Sequence, residues 1–280
     1  MPQSVTIATA VLALVLLTGV GHALTLRILR WRGVTVTRTK FGPAFIFDTT
    51  DEDGTPVRML NVGGTFQSAC YVPDELAFEL VAEYQRSEAR VVSELPRLRD
   101  AVVIGGGGFS FPKWMLRHLP PVRVSVVEID PKIIEIARRD FHLAEAERRY
   151  VPEGRLEVAC ADGWEWLRSL SRPVDLIVNE AFSGRRPLGP LTGEEGARLV
   201  HERLADGGTY LANVRCPLQG ARSGALRDTA EAFRREFAHV WVLPERPEEP
   251  GQGGNNTLVA SDCDLVAAGC AELVGHEWHA

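Results

Sequence analysis

The chain has 280 residues, of which 45% are hydrophobic and 24% charged, and its formal net charge is −6. This length and balance are typical of one large globular core with a small appended domain, and they exclude a long disordered chain. The acidic balance, without a basic stripe, argues against a nucleic-acid partner, because such binding needs clustered positive charge. The five cysteines are scattered without a CxxC pair, which predicts a reduced compartment and no metal site.

The first predicted element is an apolar segment at residues 5–26, which contains no charged side chain. About 20 such residues span a bilayer as a helix, and the basic residues Arg27, Arg30 and Arg32 follow directly. Because positive charge favours the cytoplasmic side of a membrane, residues 1–32 are predicted to anchor a cytoplasmic carboxy-terminal domain. A core or amphipathic helix is the alternative interpretation.

Alternating apolar residues and glycine-rich turns predict a small antiparallel β domain over residues 33–72, followed by a helix from Pro73 to Val92. From residue 101, strand and helix patterns alternate, which predicts a parallel sheet with helices on both faces over residues 73–262. The predicted segments are, in order, 101–104, 113–118, 122–129, 131–141, 156–160, 163–170, 174–178, 194–204, 208–214, 223–237, 240–243 and 257–260. Only a loop separates the last two strands, which predicts an antiparallel hairpin, and residues 263–280 are assigned to a terminal tail.

Four consecutive glycines follow the strand predicted at 101–104, and they end at Gly108. Glycine accepts positive φ and lets the backbone lie against a ligand, while the helix that follows presents unpaired N–H groups. Glu128 ends the next strand, 20 residues after Gly108. At that offset a carboxylate accepts hydrogen bonds from ribose hydroxyls, so these features predict a nucleoside-cofactor site.

Residues directly after the later strands are further candidates, because doubly wound sheets bind ligands at the carboxyl ends of their strands. Asp162 and Gly163 follow the strand predicted at 156–160, where a carboxylate is placed to meet an adenine amino group. Glu180 and Ser183 follow the strand predicted at 174–178. They are expected beside the place where a transferred group would leave the cofactor.

Four segments carry a more specific resemblance: VVIGGGGFS, VVEIDPKIIEIARRDF, RLEVACADGWEWL and VDLIVNEAFSG. In this order and spacing they resemble the spermidine synthase (polyamine aminopropyltransferase) family, whose sheet is that of class I methyltransferases. The stretch NVGGTFQ before them resembles the family's amino-terminal strands, and EAFSG with the apolar start resembles the spermidine synthase-like branch with transmembrane segments. The expected fold is α/β, a class I methyltransferase-like (Rossmann-like) doubly wound sheet with a small amino-terminal antiparallel β domain.

The resemblance implies S-adenosylmethionine or its decarboxylated form as co-substrate, a small-molecule acceptor, no metal, and a homodimer. It implies that Glu128 binds the ribose, that Asp162 lies at the adenine, and that Glu180 corresponds to the family's catalytic aspartate. The implied cofactor-binding residues are Gly105, Gly106, Gly107, Gly108, Glu128, Ile129, Asp162 and Gly163. The implied substrate-binding residues are Gln67, Glu79 and Ser183. The structural alternative is that the acids are strand-end caps or ion-paired, and that Gln67 is a turn residue.

The departures from the family pattern bear on the reaction. An aspartate that would bind the free amine of decarboxylated S-adenosylmethionine is replaced by Gly108, a second acid is replaced by Ser183, and only Glu79 remains of a Tyr-His-Glu gate. We therefore expect a transferase that moves an aminopropyl or related group to an acceptor other than putrescine. One alternative is an S-adenosylmethionine-dependent methyltransferase, in which Lys113 meets the methionine carboxylate; the other is a non-catalytic, membrane-anchored nucleoside-binding protein.

Overall fold

The computed structural model describes residues 24–25, 27–29, 31–183, 186–187 and 189–279, with the backbone alone described within 182–190. Most of the apolar segment at 5–26 lies outside the described residues. Within the part that is described, no helix is long and apolar enough to cross a bilayer. The membrane anchor therefore stays a prediction from the sequence.

The predicted amino-terminal β domain is confirmed as a four-stranded antiparallel sheet in the order β1-β2-β3-β4. Its strands are β1 (Thr35–Thr39), β2 (Gly42–Thr50), β3 (Pro56–Val62) and β4 (Thr65–Tyr71). Side chains alternate across a strand, so Ala44 and Ile46 on β2 share one face and are buried there with Leu60 of β3. This face joins the same hydrophobic core as Phe111 of the larger domain, so the two parts pack as one unit.

The predicted doubly wound sheet is confirmed as seven strands in the order β12-β13-β11-β8-β5-β6-β7. They are β5 (Asp100–Ile104), β6 (Arg123–Glu128), β7 (Leu156–Cys160), β8 (Val174–Asn179), β11 (Leu204–Pro217), β12 (His239–Leu243) and β13 (Gly253–Ser261). β13 lies antiparallel to both β11 and β12, as expected for the predicted hairpin. Two short strands, β9 (Phe182–Ser183) and β10 (Arg186–Pro187), pair with each other.

The helices follow the predicted pattern except near residue 73 and after residue 141. They are α1 (Glu83–Ser93), α2 (Ser110–His118), α3 (Pro131–Asp140), α4 (Leu143–Tyr150), α5 (Gly163–Ser169), α6 (Glu194–Arg203) and α7 (Gly224–Arg234), with 3₁₀ turns at Asp74–Leu76, Gly189–Thr192 and Ala271–Leu273. The prediction of one helix from Pro73 was wrong, because Ala77, Phe78 and Leu80 are buried in a non-helical connector before α1. The sequence pattern had also missed α4.

The site follows from the way the sheet is wound. β5 pairs in parallel with β6 on one side and with β8 on the other, so the chain reverses its direction of winding beside β5. A crevice opens at such a point beyond the carboxyl ends of the strands. The segment assigned to a terminal tail is packed along β12, where the Trp278 amide donates to the Val240 carbonyl at 2.7 Å.

Candidate functional site

A cavity of about 380 Å³ lies at the carboxyl ends of β5, β6 and β8, facing β3 and β4 of the small domain. Most of the residues predicted to form the site share its wall: Gln67, Gly105, Gly106, Gly107, Glu128, Ile129, Asp162, Gly163 and Glu180. Three predicted residues, Gly108, Glu79 and Ser183, are not among the described residues of the wall. The cavity is thus built from both parts of the chain, and β4 contributes Gln67 and Ser68.

The glycine turn after β5 has a backbone that suits glycine. Gly105 has φ +90°, and a Cβ there would lie 2.8 Å from the Ala181 amide nitrogen. An L side chain at this position would be strained in its backbone and would collide with the segment that carries Glu180. The turn therefore brings the backbone of β5 close to the end of β8.

Glu128 holds this turn in place from the end of β6. Its Oε2 accepts hydrogen bonds from the amides of Gly106 at 2.9 Å and Gly107 at 3.3 Å, and its Oε1 accepts from the Asp130 amide at 2.9 Å. Glu128 as a residue is only 7% exposed, and burial raises the pKa of its carboxyl group while the three N–H donors oppose the rise. Glu128 therefore lines the cavity, as expected of a residue that binds a cofactor, and it also holds the backbone of the glycine turn in place.

Asp162 also combines a structural contact with a place in the wall. Its Oδ1 accepts hydrogen bonds from the amides of Trp164 at 2.9 Å and Glu165 at 3.2 Å, which caps α5. Both bonds end on Oδ1, so Oδ2 remains as an acceptor for a ligand. Gly163 must be small, because a Cβ there would lie 2.4 Å from Cγ2 of Ile104.

Gly108 is buried and is not part of the cavity wall. A Cβ at this position would lie 2.5 Å from Ser68 Oγ and 2.9 Å from Phe141 Cδ1. The position is therefore closed by neighbouring side chains of β4 and of the segment after α3. An acid could replace Gly108 only if the side chains of both Ser68 and Phe141 moved.

Glu180 lies at the end of β8, with a partly exposed face in the cavity wall. Its Oε2 accepts hydrogen bonds from Tyr84 Oη at 3.0 Å and Asn213 Nδ2 at 3.4 Å. Its Oε1 is buried and has no partner among the described residues. Burial raises the pKa of Glu180 to about 7, while Asn213, Tyr84 and the neighbouring Glu88 act to lower it. A carboxyl group with this pKa can exchange protons near neutral pH.

Behind Glu180, away from the wall, α1 presents a second buried carboxyl group. Glu88 is 0% exposed, and its Oε1 accepts a hydrogen bond from Thr257 Oγ1 of β13 at 2.9 Å. Burial, followed by repulsion from Glu180, raises the pKa of Glu88 well above its usual value. Among the described residues, no group of three or more His, Cys, Asp or Glu side chains is arranged to hold a metal ion.

The chain is similar in sequence and in fold to proteins of one known family. Residues 84–242 match the spermine/spermidine synthase domain, which is more than half of the chain. The chain belongs to the spermine/spermidine synthase domain family. The polyamine aminopropyltransferase of Neisseria meningitidis is 29% identical over 164 residues, which cover 58% of this chain and 59% of that protein.

Two further comparisons mark the range of similar proteins. A probable spermidine synthase from Corynebacterium glutamicum has a crystal structure that covers 86% of this chain and 87% of its own, with a TM-score of 0.68 and 21% identity. The eEF1A lysine and N-terminal methyltransferase of Mus musculus is 26% identical over 199 residues, covering 58% of this chain and 28% of that protein. The fold is thus shared with spermidine synthases, while the chain spans about three fifths of the Neisseria relative.

Three residues singled out from the family pattern lie away from this site or beyond its described part. Glu79 lies on the surface, where its carboxylate pairs with His118 Nε2 at 3.1 Å. Lys113 does not face the cavity: its buried Nζ donates to the carbonyls of Phe141 at 2.6 Å and Ala77 at 3.2 Å. The proposed contact of Lys113 with a methionine carboxylate is therefore wrong. For Ser183, only the backbone is described.

The sequence analysis missed the residues of α1 that surround Glu180. Tyr84, Gln85 and Glu88 all lie on this helix, and Gln85 lines the cavity. The signal was present, because 85, 88, 89 and 92 follow the spacing of one helical face, and all four are buried. Gln85 and Glu88 on this buried helical face therefore point to polar side chains held inside the fold.

Proposed function

We propose that this chain transfers an aminopropyl or closely related group from decarboxylated S-adenosylmethionine, or from S-adenosylmethionine, to a small amine other than putrescine. Glu180 serves as the general base. The observation that carries the proposal is a carboxyl group with a pKa of about 7 in the wall of a cavity that also holds the glycine turn. Membership of the family and its aminopropyltransferase relatives supports the same reaction class.

The cofactor is proposed to lie along the carboxyl ends of β5, β6 and β7. Glu128 is in position to accept from the ribose hydroxyls in exchange for one of its amide donors. Asp162 has Oδ2 left to accept from the adenine amino group, and Gly163, which has no side chain, lets the backbone lie close to the bound cofactor. The sulfonium end then lies near the glycine turn and Glu180, because Gly105 approaches the backbone of Glu180 and Ala181.

The transfer itself needs a neutral amine. The amine nitrogen attacks the carbon bonded to the sulfonium sulfur, a nitrogen–carbon bond forms, and the carbon–sulfur bond breaks with its electron pair left on sulfur. The attacking nitrogen loses one proton, which the ionised Glu180 accepts. A base with a pKa near the working pH suits this step, since it is partly ionised and still able to take up the proton.

The acceptor is proposed to be an amine other than putrescine, because the wall lacks the acids expected for a second cationic end. Glu79 is paired with His118 at the surface, and position 183 carries a serine. Glu88 supplies a second acid near Glu180 but is not part of the wall. One ammonium group can thus be matched with a carboxylate, whereas a second has no obvious partner among the described residues.

Calorimetry with each cofactor, followed by product analysis with a panel of mono- and diamines, tests the proposal. Release of methylthioadenosine from decarboxylated S-adenosylmethionine is expected only when an amine acceptor is present. The Glu180→Gln variant should bind the cofactor but turn over about 10²–10⁴-fold more slowly, as is typical for loss of a general base. Full turnover by Glu180→Gln would remove Glu180 from the mechanism, and failure of both cofactors to bind would refute the cofactor assignment.

Methyl transfer from S-adenosylmethionine is the second candidate. Gly108 provides no acid to repel the methionine carboxylate, and the chain resembles a mouse protein methyltransferase over 58% of its length. Lys113 gives this candidate no support, because its amine is bound to backbone carbonyls. Formation of S-adenosylhomocysteine with an acceptor would favour methyl transfer, while tight cofactor binding without any product would favour a nucleoside-binding protein.

We further propose that residues 5–26 anchor the α/β domain to the cytoplasmic face of a membrane. The charge-free segment and the arginines that follow it support this placement. Recovery of the full chain in the soluble fraction without detergent would refute it. A homodimer stays a prediction from the family resemblance, and sedimentation of the purified chain tests it.

A further inference from the structure

The contact between Glu88 and Glu180 raises a question of proton balance. The two carboxyl groups lie near enough for each to shift the pKa of the other: Glu180 raises that of Glu88, and Glu88 lowers that of Glu180. Glu88 Oε2 and Glu180 Oε1 are both buried, and neither has a donor among the described residues. Two carboxylate oxygens cannot bond to each other unless one of them carries a proton.

The other oxygens of the pair already have donors. Thr257 Oγ1 donates to Glu88 Oε1 at 2.9 Å, while Tyr84 Oη and Asn213 Nδ2 both donate to Glu180 Oε2. A single proton between Glu88 Oε2 and Glu180 Oε1 therefore satisfies the two remaining oxygens at once. A buried, unsatisfied carboxylate oxygen is costly, so this arrangement is strongly favoured over two unpaired acceptors.

We infer that Glu88 is a positioning residue that stays protonated and donates its hydrogen bond to Glu180, so that Glu180 alone is left as the ionisable base. This inference rests on the proposed function, in which Glu180 accepts the proton of the attacking amine. It concerns Glu88, which does not line the cavity and has no place in the family pattern on which the site was predicted.

Exposure decides which carboxyl group keeps the proton. Glu88 is completely buried, whereas Glu180 reaches the cavity wall, where water or a ligand can stabilise a charge. Burial raises the pKa of both groups, and repulsion by Glu180 raises that of Glu88 further, whereas the hydrogen-bond partners of Glu180 oppose the rise in its own pKa. Glu180, the group that reaches the wall, is therefore assigned as the first of the pair to lose its proton at rising pH.

Among the described residues packed against α1, no cation is placed to make Glu88 lose its proton before Glu180. Of the elements packed on α1, β13 presents the neutral Thr257, and the Ala271–Leu273 turn presents Glu272, which pairs with Arg90. On α2, Lys113 is bound to backbone carbonyls, and both Arg117 and His118 pair with Glu79. Tyr84, one helical turn from Glu88, has a raised pKa and stays neutral.

The arrangement also fixes the orientation of the base. A carboxylate offers about four lone-pair positions, and three on Glu180 are filled by Tyr84, Asn213 and the proton of Glu88. A protonated Glu88 cannot compete for the proton of the substrate amine, so the transfer ends on Glu180.

The test compares Glu88→Gln with Glu88→Leu by carboxyl ¹³C NMR, with Glu180 assigned through Glu180→Gln. Wild type should show two coupled titrations, of which the more acidic belongs to Glu180. Glu88→Gln should lose the second titration and keep the first, because its amide N–H replaces the donor. Glu88→Leu should raise the Glu180 midpoint by about one pH unit, a tenfold change in acidity, because the donor is lost. Glu83→Gln, on the exposed face of α1, is the matched control and should change neither.

The same variants are then assayed for turnover against pH. Glu88→Leu should lose about fivefold in turnover at pH 7 and recover at pH 9, while Glu88→Gln keeps the wild-type profile. If Glu88 titrates near its ordinary value, or if Glu88→Leu leaves the Glu180 midpoint in place, the inference is wrong even if Glu180 is the base. If the titrations follow the inference but no group transfer occurs, the proposed function fails and the proton placement stands. If Glu88→Leu does not fold, the loss or persistence of the second titration in Glu88→Gln decides alone.

Discussion

Replacing Glu180 by glutamine should change how the stability of the protein depends on pH. The pKa of Glu180 is raised from 4.5 to about 7 in the folded protein, mainly by burial. Between these values the folded state binds a proton that the unfolded state has lost. Stability therefore decreases as the pH rises through this window, and glutamine, which does not titrate, removes that decrease.

The size of the effect follows from the shift of the Glu180 pKa. A displacement from 4.5 to about 7 corresponds to roughly 3 kcal/mol, of which roughly 2–3 kcal/mol develops between pH 5 and pH 8. Glu88 adds to the decrease in wild type, because its own pKa is raised partly by Glu180. The stability of Glu180→Gln minus that of wild type should thus grow by roughly 2–3 kcal/mol from pH 5 to pH 8.

Guanidinium chloride unfolding, followed by circular dichroism at pH 5, 6, 7 and 8, measures this difference. Glu83→Gln is a suitable control, since its side chain is 58% exposed and its stability should run parallel to wild type. If the stability difference between Glu180→Gln and wild type stays constant within about 0.5 kcal/mol over this range, Glu180 titrates normally. The argument for Glu180 as a base near neutral pH would then be refuted.

Three other substitutions probe the wall of the cavity. Tyr84→Phe removes a donor to Glu180 and should move the acidic limb of the pH–rate profile upward by about one unit, as measured by turnover from pH 5 to 9. Gly105→Ala should destabilise the fold by roughly 2–4 kcal/mol in denaturant unfolding, because its φ is +90° and its Cβ would lie 2.8 Å from the Ala181 amide nitrogen. Asp162→Ala should cost about 1 kcal/mol of stability through loss of the α5 cap and should also weaken adenosyl-cofactor binding in calorimetry.

Matched control variants distinguish the effects of these three substitutions from a nonspecific loss of stability. Gly251→Ala meets no atom within 4 Å of its Cβ and should be close to neutral, in contrast to Gly105→Ala. Asp162→Asn keeps a capping oxygen, so it should retain stability even where its affinity for the cofactor falls. Equal losses of stability in both members of either pair would contradict the contacts assigned to these side chains. An unchanged pH profile for Tyr84→Phe would show that its hydroxyl does not act on Glu180.

The fold was largely predictable because its signals are local. Strands such as β7 at Leu156–Cys160 were predicted with the observed bounds, since short apolar runs between turns read directly as strands. The connector before α1 was not, because Ala77 and Phe78 have a helix-like spacing but are buried by tertiary packing. Helix α4 was missed because it follows α3 after a short break, at which His142 has φ +59°.

The site was predictable where one residue follows one strand. Glu128, Asp162 and Glu180 come directly after or at the end of β6, β7 and β8, and the sheet brings them to one cavity. Glu88 and Thr257 could not be placed in this way, because their contact joins positions 169 residues apart in sequence. Such a pair depends on how α1 lies against β13, which no local pattern determines.

The position of Gly108 changes how the missing acid of the glycine turn is understood. The acid expected from the family motif has not simply been shortened to a hydrogen atom, since Ser68 and Phe141 fill the space that its Cβ would need. Restoring the acid would require the side chains of Ser68 and Phe141 to move. In the proposed function, the negative charge that meets an amine lies instead on Glu180 at the end of β8, next to the buried and protonated Glu88. Under the proposed function, selection among amines would therefore depend on one ionisable carboxyl group and on the packing of α1 behind it.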